Sequence, residues 1–196
     1  MDVTTRLARR VSELRSTRGY SLDALAQRSG VSRSAISLIE RGQSSPTAAV
    51  LDKLSLGLGV TLASLFETSA IAPKALSAVA RAAEQPVWAD PASGYLRRNV
   101  SPEAPSPIQL VDVVFPAGRR VAYETGARDV DIHQQVWMIE GAMQVTVGDV
   151  HWHLEAGDCL AMRLDRPVAF RNPTRQAARY LVALSTLPFK PPFATP

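Results

Sequence analysis

The sequence predicts a multidomain α + β protein, in which a domain of five short helices precedes a sandwich or barrel of short antiparallel strands. Up to residue 68 the apolar residues recur every three or four positions, which is typical of helices. From residue 87 short apolar runs alternate with polar residues, and turn sequences such as PAG, VGD and RNPT separate them. We therefore divide the chain into a helical domain over 1–68, a linker or short helix over 69–86, a β domain over 87–187 and a proline-rich tail over 188–196.

The composition is that of an ordinary globular protein, since 46% of the 196 residues are hydrophobic and 20% are charged. No apolar run reaches 18 residues and the first residues lack the apolar core of a signal peptide, so we expect a cytoplasmic protein without a membrane partner. The single cysteine, Cys159, excludes an internal disulfide framework and a cysteine-rich zinc cluster. The net charge of +4 favours an anionic partner, and the helical domain carries nine Lys or Arg against six Asp or Glu.

Five helices follow from the spacing of apolar residues in the first domain. Their apolar positions are Leu7, Val11 and Leu14; Leu22, Leu25 and Ala26; Ile36 and Ile39; Val50, Leu51, Leu54 and Leu58; and Leu62, Leu65 and Phe66. Four hydroxyl residues stand where helices begin and are predicted N-caps, namely Ser21, Ser32, Thr47 and Thr61. Glycines stand where helices end, at positions 19, 30, 42 and 59.

The second and third helices have the spacing of a helix-turn-helix. Counting from Leu22, a small residue is fifth (Ala26), a glycine is ninth (Gly30), and two isoleucines, Ile36 and Ile39, follow at the fifteenth and eighteenth places. The small residue lets the helices cross closely, the glycine permits the turn, and the isoleucines bury one face of the third helix. The opposite face is then free to enter a DNA major groove. It carries Arg33, Ser34, Ser37 and Arg41.

The stretch SLDALAQRSGVSRSAISLIERG, with the helices around it from about residue 4 to 66, resembles the DNA-binding domain of XRE-type regulators, the Cro and phage-repressor type. The resemblance implies a structural pair between Arg15 and Glu40. Several phage repressors have a DNA-reading glutamine at the position that Leu22 occupies here. Because leucine lacks that polar group, the reading of DNA sequence is expected to depend more on Arg33. Candidate DNA-binding residues are Ser32, Arg33, Ser34, Ser37, Arg41, Gln43, Ser44 and Thr47, the last three toward phosphates. The alternative is a helical unit that merely packs.

The segment VWMIEGAMQVTVGDVHWHLEAGDCLAMRLDRPVAFRNP, from Val136 to Pro173, resembles the cupin fold. The features that it shares with cupins are the strands around Glu140-Gly141, the EAGD turn and the RNP sequence near the end of the segment. The resemblance implies a cupin jelly-roll β-barrel over residues 87 to 187, and an XRE-type head with a cupin tail is a known class of bacterial regulator.

Many cupins bind a divalent metal through an HxH pair, a glutamate and a late histidine. In this chain the glutamate place falls at Gln134 and the late histidine at Val168, while the HxH pair falls near Arg128 and Val130, or near Ala127 and Asp129. Amide, valine and a single carboxylate are a poor ligand set. We therefore expect no metal, no cofactor and no catalytic residues.

A metal-free cupin interior would be an apolar cup with a few polar groups, which suits a small molecule. Candidate ligand-binding residues are Tyr123, Arg128, His133, Gln134, Val136, Met138, Met162, Val168 and Phe170. The alternative is a barrel filled by its own side chains. We further expect His151 and His153 to point outward with Trp152 and Leu154 inward, and Cys159 to be a buried small hydrophobe.

The function that these patterns favour is a sequence-specific transcriptional regulator that binds double-stranded operator DNA as a homodimer and senses a small-molecule effector. Two alternatives stay open. One is a constitutive or antitoxin-like DNA binder whose cupin only dimerises, and the other is a cupin enzyme with a DNA-binding appendage.

Overall fold

The computed structural model describes residues 3–67, 77–104, 106–124 and 131–187. Four α-helices lie in the described part of the first domain: α1 (Val3–Thr17), α2 (Leu22–Ser29), α3 (Arg33–Glu40) and α4 (Ala48–Gly57). The fifth predicted helix is instead one 3-10 turn over Ala63–Phe66, because the backbone becomes extended at Glu67 and leaves room for i to i+3 bonds only. The predicted linker falls partly outside the described residues. Its described part contains a 3-10 turn over Ala82–Glu84.

The predicted helix starts and the helix-turn-helix turn are confirmed. The side chains of Ser21, Ser32 and Thr47 each accept a hydrogen bond from a backbone amide in the first turn of their helices. The hydroxyl of Thr61 accepts one from the amide of Ser64. Gly30 ends α2 in the left-handed conformation with φ of 67°, which only glycine adopts without strain.

The helical core is made of the residues that the periodicity selected. Leu7, Val11, Leu25, Ile36, Ile39, Leu51, Leu54, Leu58 and Leu65 are buried. Helix α2 packs closely on α4 at Gly57, where a Cβ atom would lie 2.8 Å from the Cβ of Ser29 and 3.0 Å from its amide nitrogen. Glycine at this position therefore sets the distance between the two helices.

Ten antiparallel strands form the second domain. They are β1 (Val87–Ala89), β2 (Leu96–Asn99), β3 (Ile108–Phe115), β4 (Arg120–Tyr123), β5 (Asp131–Glu140), β6 (Ala142–Val147), β7 (Val150–Glu155), β8 (Cys159–Arg163), β9 (Val168–Arg171) and β10 (Ala178–Leu187). One sheet has the order β1-β2-β3-β10-β5-β8, and the other has the order β4-β9-β6-β7. The last eight strands thus alternate between the two sheets except at β6 and β7, which pair as a hairpin, and this is the arrangement of a double-sheet jelly roll.

The described strands form two separate sheets, so closure of the predicted jelly-roll barrel is not confirmed. The four-residue strands β4 and β9 pair within the smaller sheet, and no described ladder joins one sheet to the other. Aromatic rings fill the space between the sheets and continue to the helical domain, with successive centroids 5.5 to 6.5 Å apart. In order they are Phe66, Trp88, Tyr95, Phe115, Tyr180, Phe170 and Tyr123.

Two expectations about side-chain direction are corrected at sheet edges. Cys159 is exposed, because β8 turns Leu160 and Met162 inward and the alternating residues outward. On β7, Leu154 is buried while His151 and His153 are exposed, as predicted. Trp152 is exposed as well, since β7 is the edge strand of the smaller sheet.

The helical domain packs against the sandwich through polar contacts as well as rings. The amide of Ala48, at the start of α4, donates to the carboxylate of the buried Asp90 at 2.8 Å. Lys53 of α4 pairs with Glu124 at 3.2 Å. Gln109 of β3 donates to Glu67, which lies just beyond the 3-10 turn. These contacts fix where α4 lies against the sandwich. No helix within the described ranges combines the length and the apolar character that crossing a membrane requires.

Candidate DNA-binding surface and interdomain cavity

Helix α3 presents a narrow polar face to solvent. Ile36 and Ile39 are buried, as their places in the helix-turn-helix predict. Arg33, Ser34 and Arg41 are exposed and Ser37 is half-buried. The hydroxyl of Ser32 is engaged in capping, since it accepts from the amide of Ala35 and contacts the Ser34 hydroxyl.

The sequence reasoning did not select Leu38, which is 39% exposed on the same side of α3. It lies four residues after Ser34, so the helical spacing that selected the serines also includes it. It was missed because an apolar residue in a recognition helix is most simply assigned to the core. An exposed leucine here can contact the methyl group of thymine.

Arg33 is held by an acidic neighbour in the free protein. Its Nε atom lies 3.3 Å from Oδ1 of Asp23 in α2, and both side chains are well exposed, 65% and 72%. Asp23 also lies in the first turn of α2, where a carboxylate interacts favourably with the helix dipole. Any contact between Arg33 and a base edge must therefore replace this ion pair.

The predicted pair between Arg15 and Glu40 is confirmed. Arg15 donates from Nε and Nη2 to the two carboxylate oxygens of Glu40 at 2.7 and 2.9 Å, and from Nη1 to the carbonyl of Tyr20 at 2.8 Å. The hydrogen bond to Glu40 raises the pKa of Arg15 above its usual value. Because all three donors are directed into the helical domain, the pair joins α1 to the end of α3.

The residues expected to contact phosphates differ in availability. Gln43 is exposed and Ser44 is half-buried, in the loop between α3 and α4. Thr47 instead uses its hydroxyl to cap α4, accepting from the amide of Val50. The next amide, of Ala48, already donates to Asp90. The N-terminus of α4 is thus occupied by a carboxylate of the sandwich.

A cavity lies where the sandwich meets α4. It has a volume of about 60 Å³, which is large enough to hold ordered water. Its wall combines residues of the helical domain with residues of both sheets. They are Asp52, Thr61 and Leu62 from the first domain, and Tyr95, Arg97, Val113, Tyr123, Ile132, Gln134, Leu164, Val168, Phe170, Tyr180, Val182 and Leu184 from the second.

The polar groups of this cavity combine one guanidinium, that of Arg97, with hydroxyls, an amide and the buried carboxylate of Asp52. Arg97 is only 8% exposed, and within the described residues its Nε and Nη2 atoms have no hydrogen-bond partner. The hydroxyls of Tyr95 and Tyr123 lie 3.1 Å apart. Burial holds the pKa of Tyr123 and of Tyr180 well above the usual value, so both phenols keep their protons at neutral pH.

The predicted ligand-binding residues divide into four groups. Tyr123, Gln134, Val168 and Phe170 line the cavity. Val136, Met138 and Met162 are buried in the core and do not line it. His133 is corrected: it is exposed, because it alternates with Gln134 along β5 and so lies on the outer face of the sheet. Arg128 lies outside the described residues. Sequence reasoning missed Arg97, whose signal was only a charged residue inside a strand.

The two described places of the cupin metal motif are close together, because Gln134 and Val168 line the same cavity. The four residues considered for the HxH pair lie outside the described ranges. Among the side chains that the structure describes, no three of His, Cys, Asp or Glu are grouped as a metal site would need.

Comparison with known proteins matches this architecture. The helix-turn-helix family HTH_3 matches residues 11–65. The HTH-type transcriptional regulator SutR of Escherichia coli K12 is 46% identical over 54 residues, which are 28% of this chain and only 30% of SutR. The HTH-type transcriptional regulator PuuR of Escherichia coli K12 is 25% identical over 176 residues, covering 89% of this chain and 92% of PuuR. A solved HTH_3 family transcriptional regulator from Vibrio cholerae has a TM-score of 0.73 and 25% identity, covering 93% of this chain and 96% of that one.

Proposed function

Because residues 11–65 form a helix-turn-helix domain of the XRE type, we propose that this protein is a sequence-specific transcriptional regulator that binds operator DNA through α3. The observation that carries the proposal is the outer face of α3, whose side chains project from a helix that is packed on α1 and α2 through its isoleucines. We assign no catalytic role.

Each residue of that face has a chemically distinct task. Arg33 lies in the first turn of α3 and its guanidinium can donate to O6 and N7 of guanine together. Ser34 and Ser37 add shorter contacts, and Leu38 contacts a thymine methyl group. Arg41 lies at the far end of α3, where its Nε donates to the carbonyl of Ser37 at 3.2 Å in the free protein. Arg41, Gln43 and Ser44 make the contacts to phosphates, which position the domain without reading sequence.

The functional unit that we propose is a homodimer. One recognition helix buries too little surface for tight specific binding, and a two-fold dimer places two of them about 34 Å apart along the duplex. The contact that we propose is the outer face of the larger sheet, around Trp137, which is 49% exposed. Strand register places Cys159 and Leu181 on either side of it, and both reach solvent. A second copy of the same face would cover this apolar row.

The sandwich serves as a sensor of a small molecule in this proposal. The support is the cavity, which is not filled by its own side chains and which has α4 of the DNA-binding domain in its wall. Buried polar groups around an open space are typical of a ligand site, and dimerisation of the sandwich does not require them.

The test is selection of duplexes from a random pool with the full chain, followed by affinity measurements on the selected and scrambled duplexes at fixed salt. We expect a selected sequence with two related half-sites and a protein dimer on it. Binding that is equal on both duplexes, or a selected site with one half-site and one protein copy, would contradict the proposal.

A further inference from the structure

The interdomain cavity contains one buried cation whose hydrogen-bonding capacity is largely unused. Arg97 of β2 lines it, and its Nε and Nη2 atoms have no hydrogen-bond partner among the described residues and are covered by neighbouring atoms. A buried polar group without a partner costs stability, and a charged one costs more. The guanidinium is held in place by the ring of Phe66, whose centroid lies 5.6 Å from Cζ. A desolvated guanidinium in the wall of a cavity suits a carboxylate, which can accept charge-assisted hydrogen bonds from it.

The groups around Arg97 favour the same ligand charge. The phenols of Tyr95, Tyr123 and Tyr180 all line the cavity and stay protonated because of their burial. They can therefore donate hydrogen bonds to an anion and add no negative charge of their own. The amide of Gln134 supplies one further donor group.

The rest of the wall sets the size and the polarity of the ligand. Leu62, Ile132, Val182 and Leu184 give it an apolar surface. A cavity of about 60 Å³ admits a ligand of only a few heavy atoms. The wall also contains the buried carboxylate of Asp52, which would repel a second negative charge.

We propose that this cavity binds a small monocarboxylate with a short apolar chain, its carboxylate accepting hydrogen bonds from Arg97 and its chain contacting the apolar wall. The ligand would touch both domains, because Asp52 belongs to α4 and Leu62 to the segment that follows it. Helix α4 packs against α2 of the helix-turn-helix, so occupancy is transmitted to the DNA-binding domain. This regulatory consequence rests on the proposed function, whereas the binding itself does not.

The binding test uses the full chain without DNA, in thermal-shift and calorimetric titrations with acetate, propionate and butyrate at constant ionic strength. Propionamide and butylamine are the probes that lack the anionic charge. A ligand that binds only the folded state raises its melting temperature, so we expect a rise with at least one carboxylate and none with the amide or the amine. Equal stabilisation by the carboxylates and by the amide or the amine would overturn the proposal. So would a melting temperature that none of the probes raises.

Two substitutions locate the site. Arg97→Gln should weaken carboxylate binding about 10- to 100-fold, because hydrogen bonds to charged groups are the strong ones. Arg98→Gln is the matched control, since Arg98 is the next residue of β2 and is exposed on the opposite face. If Arg97→Gln does not fold, Arg97→Lys keeps the charge without the paired donors and should bind more weakly than the wild type. Binding unchanged in the folded Arg97 variant would refute the assignment.

A separate measurement distinguishes this inference from the proposed function. The affinity of the full chain for its selected duplex is compared with and without the carboxylate that binds. A change in affinity that is lost in the Arg97 variant supports the regulatory consequence. If a carboxylate binds but DNA affinity is unchanged, the ligand site is supported and its effect on DNA binding is rejected. If the protein binds DNA but no carboxylate, only the inference of a carboxylate site is rejected.

Discussion

The ion pair between Arg33 and Asp23 should restrain DNA binding. In the free protein the two side chains lie 3.3 Å apart on neighbouring helices, and both are mostly exposed. Arg33 must leave Asp23 before its guanidinium can reach a base edge. The substitution Asp23→Asn keeps the shape of the side chain and removes its charge, so it should strengthen binding to the operator.

The structure limits the size of this effect. An exposed ion pair stabilises the free protein by about 0.2–1 kcal/mol. If the pair no longer has to be broken, the free energy of DNA binding becomes more favourable by the same amount. The corresponding gain in affinity is about 1.4- to 5-fold. The same substitution removes an acidic residue from the first turn of α2, which costs about 0.3–1 kcal/mol of stability. A melting curve accounts for that loss separately.

The assay is a double-mutant cycle on the selected duplex, measured by fluorescence anisotropy at fixed salt. If the gain acts through the pair, Asp23→Asn should have little effect when Arg33→Ala is already present. Glu13→Gln makes the same charge change on α1 and should leave operator affinity nearly unchanged. A gain of equal size with and without Arg33 would show that Asp23 acts by repelling phosphates, and a loss of affinity would refute the restraint altogether.

Three further outcomes follow from the packing and the surface. Gly57→Ala should destabilise the protein by about 1–3 kcal/mol in denaturant unfolding, because the added Cβ meets the backbone of α2. Alanine favours helices over glycine, so a gain in stability would contradict this close packing. Glu40→Gln should lower the free energy of unfolding by about 1–3 kcal/mol, because charged hydrogen bonds from Arg15 are lost. An unchanged free energy of unfolding would show that the pair is dispensable. Trp137→Ser should weaken dimerisation by about 2 kcal/mol in sedimentation equilibrium. Trp152→Ser, on the other sheet, is its control, and equal effects would place the contact elsewhere.

The local rules of the sequence predicted the helical domain well. Ile36 and Ile39 are buried, Gly30 adopts the left-handed conformation and Arg15 meets Glu40. The first two depend on neighbours within one turn or on a fixed spacing, which sequence displays directly, whereas the pair between Arg15 and Glu40 was implied by the resemblance to XRE-type domains. The spacing that selects Ser34 also places Leu38 on the exposed face, but an apolar residue carries no polar signal that marks it as a DNA contact.

The cavity was harder to predict because long-range packing creates it. Alternation along β5 predicts Gln134 inward and, by the same rule, His133 outward, whereas His133 was selected because it lies beside the glutamate place of the cupin motif. Cys159 and Trp152 are exposed for a related reason, because edge position in a sheet is a property of topology. Arg97 and Asp52 are 45 positions apart, and only the docking of two domains brings them to one wall.

The most direct test of the account is the operator affinity of Arg33→Ala, measured on the selected and on the scrambled duplex at the same salt concentration. The account predicts that the variant melts like the wild type and loses about 1–3 kcal/mol, or about 5- to 150-fold, on the selected duplex only, with relaxed preference at one base pair in each half-site. An equal loss on both duplexes would make Arg33 a phosphate contact. Unchanged affinity on the selected duplex would contradict the claim that this face of α3 reads DNA.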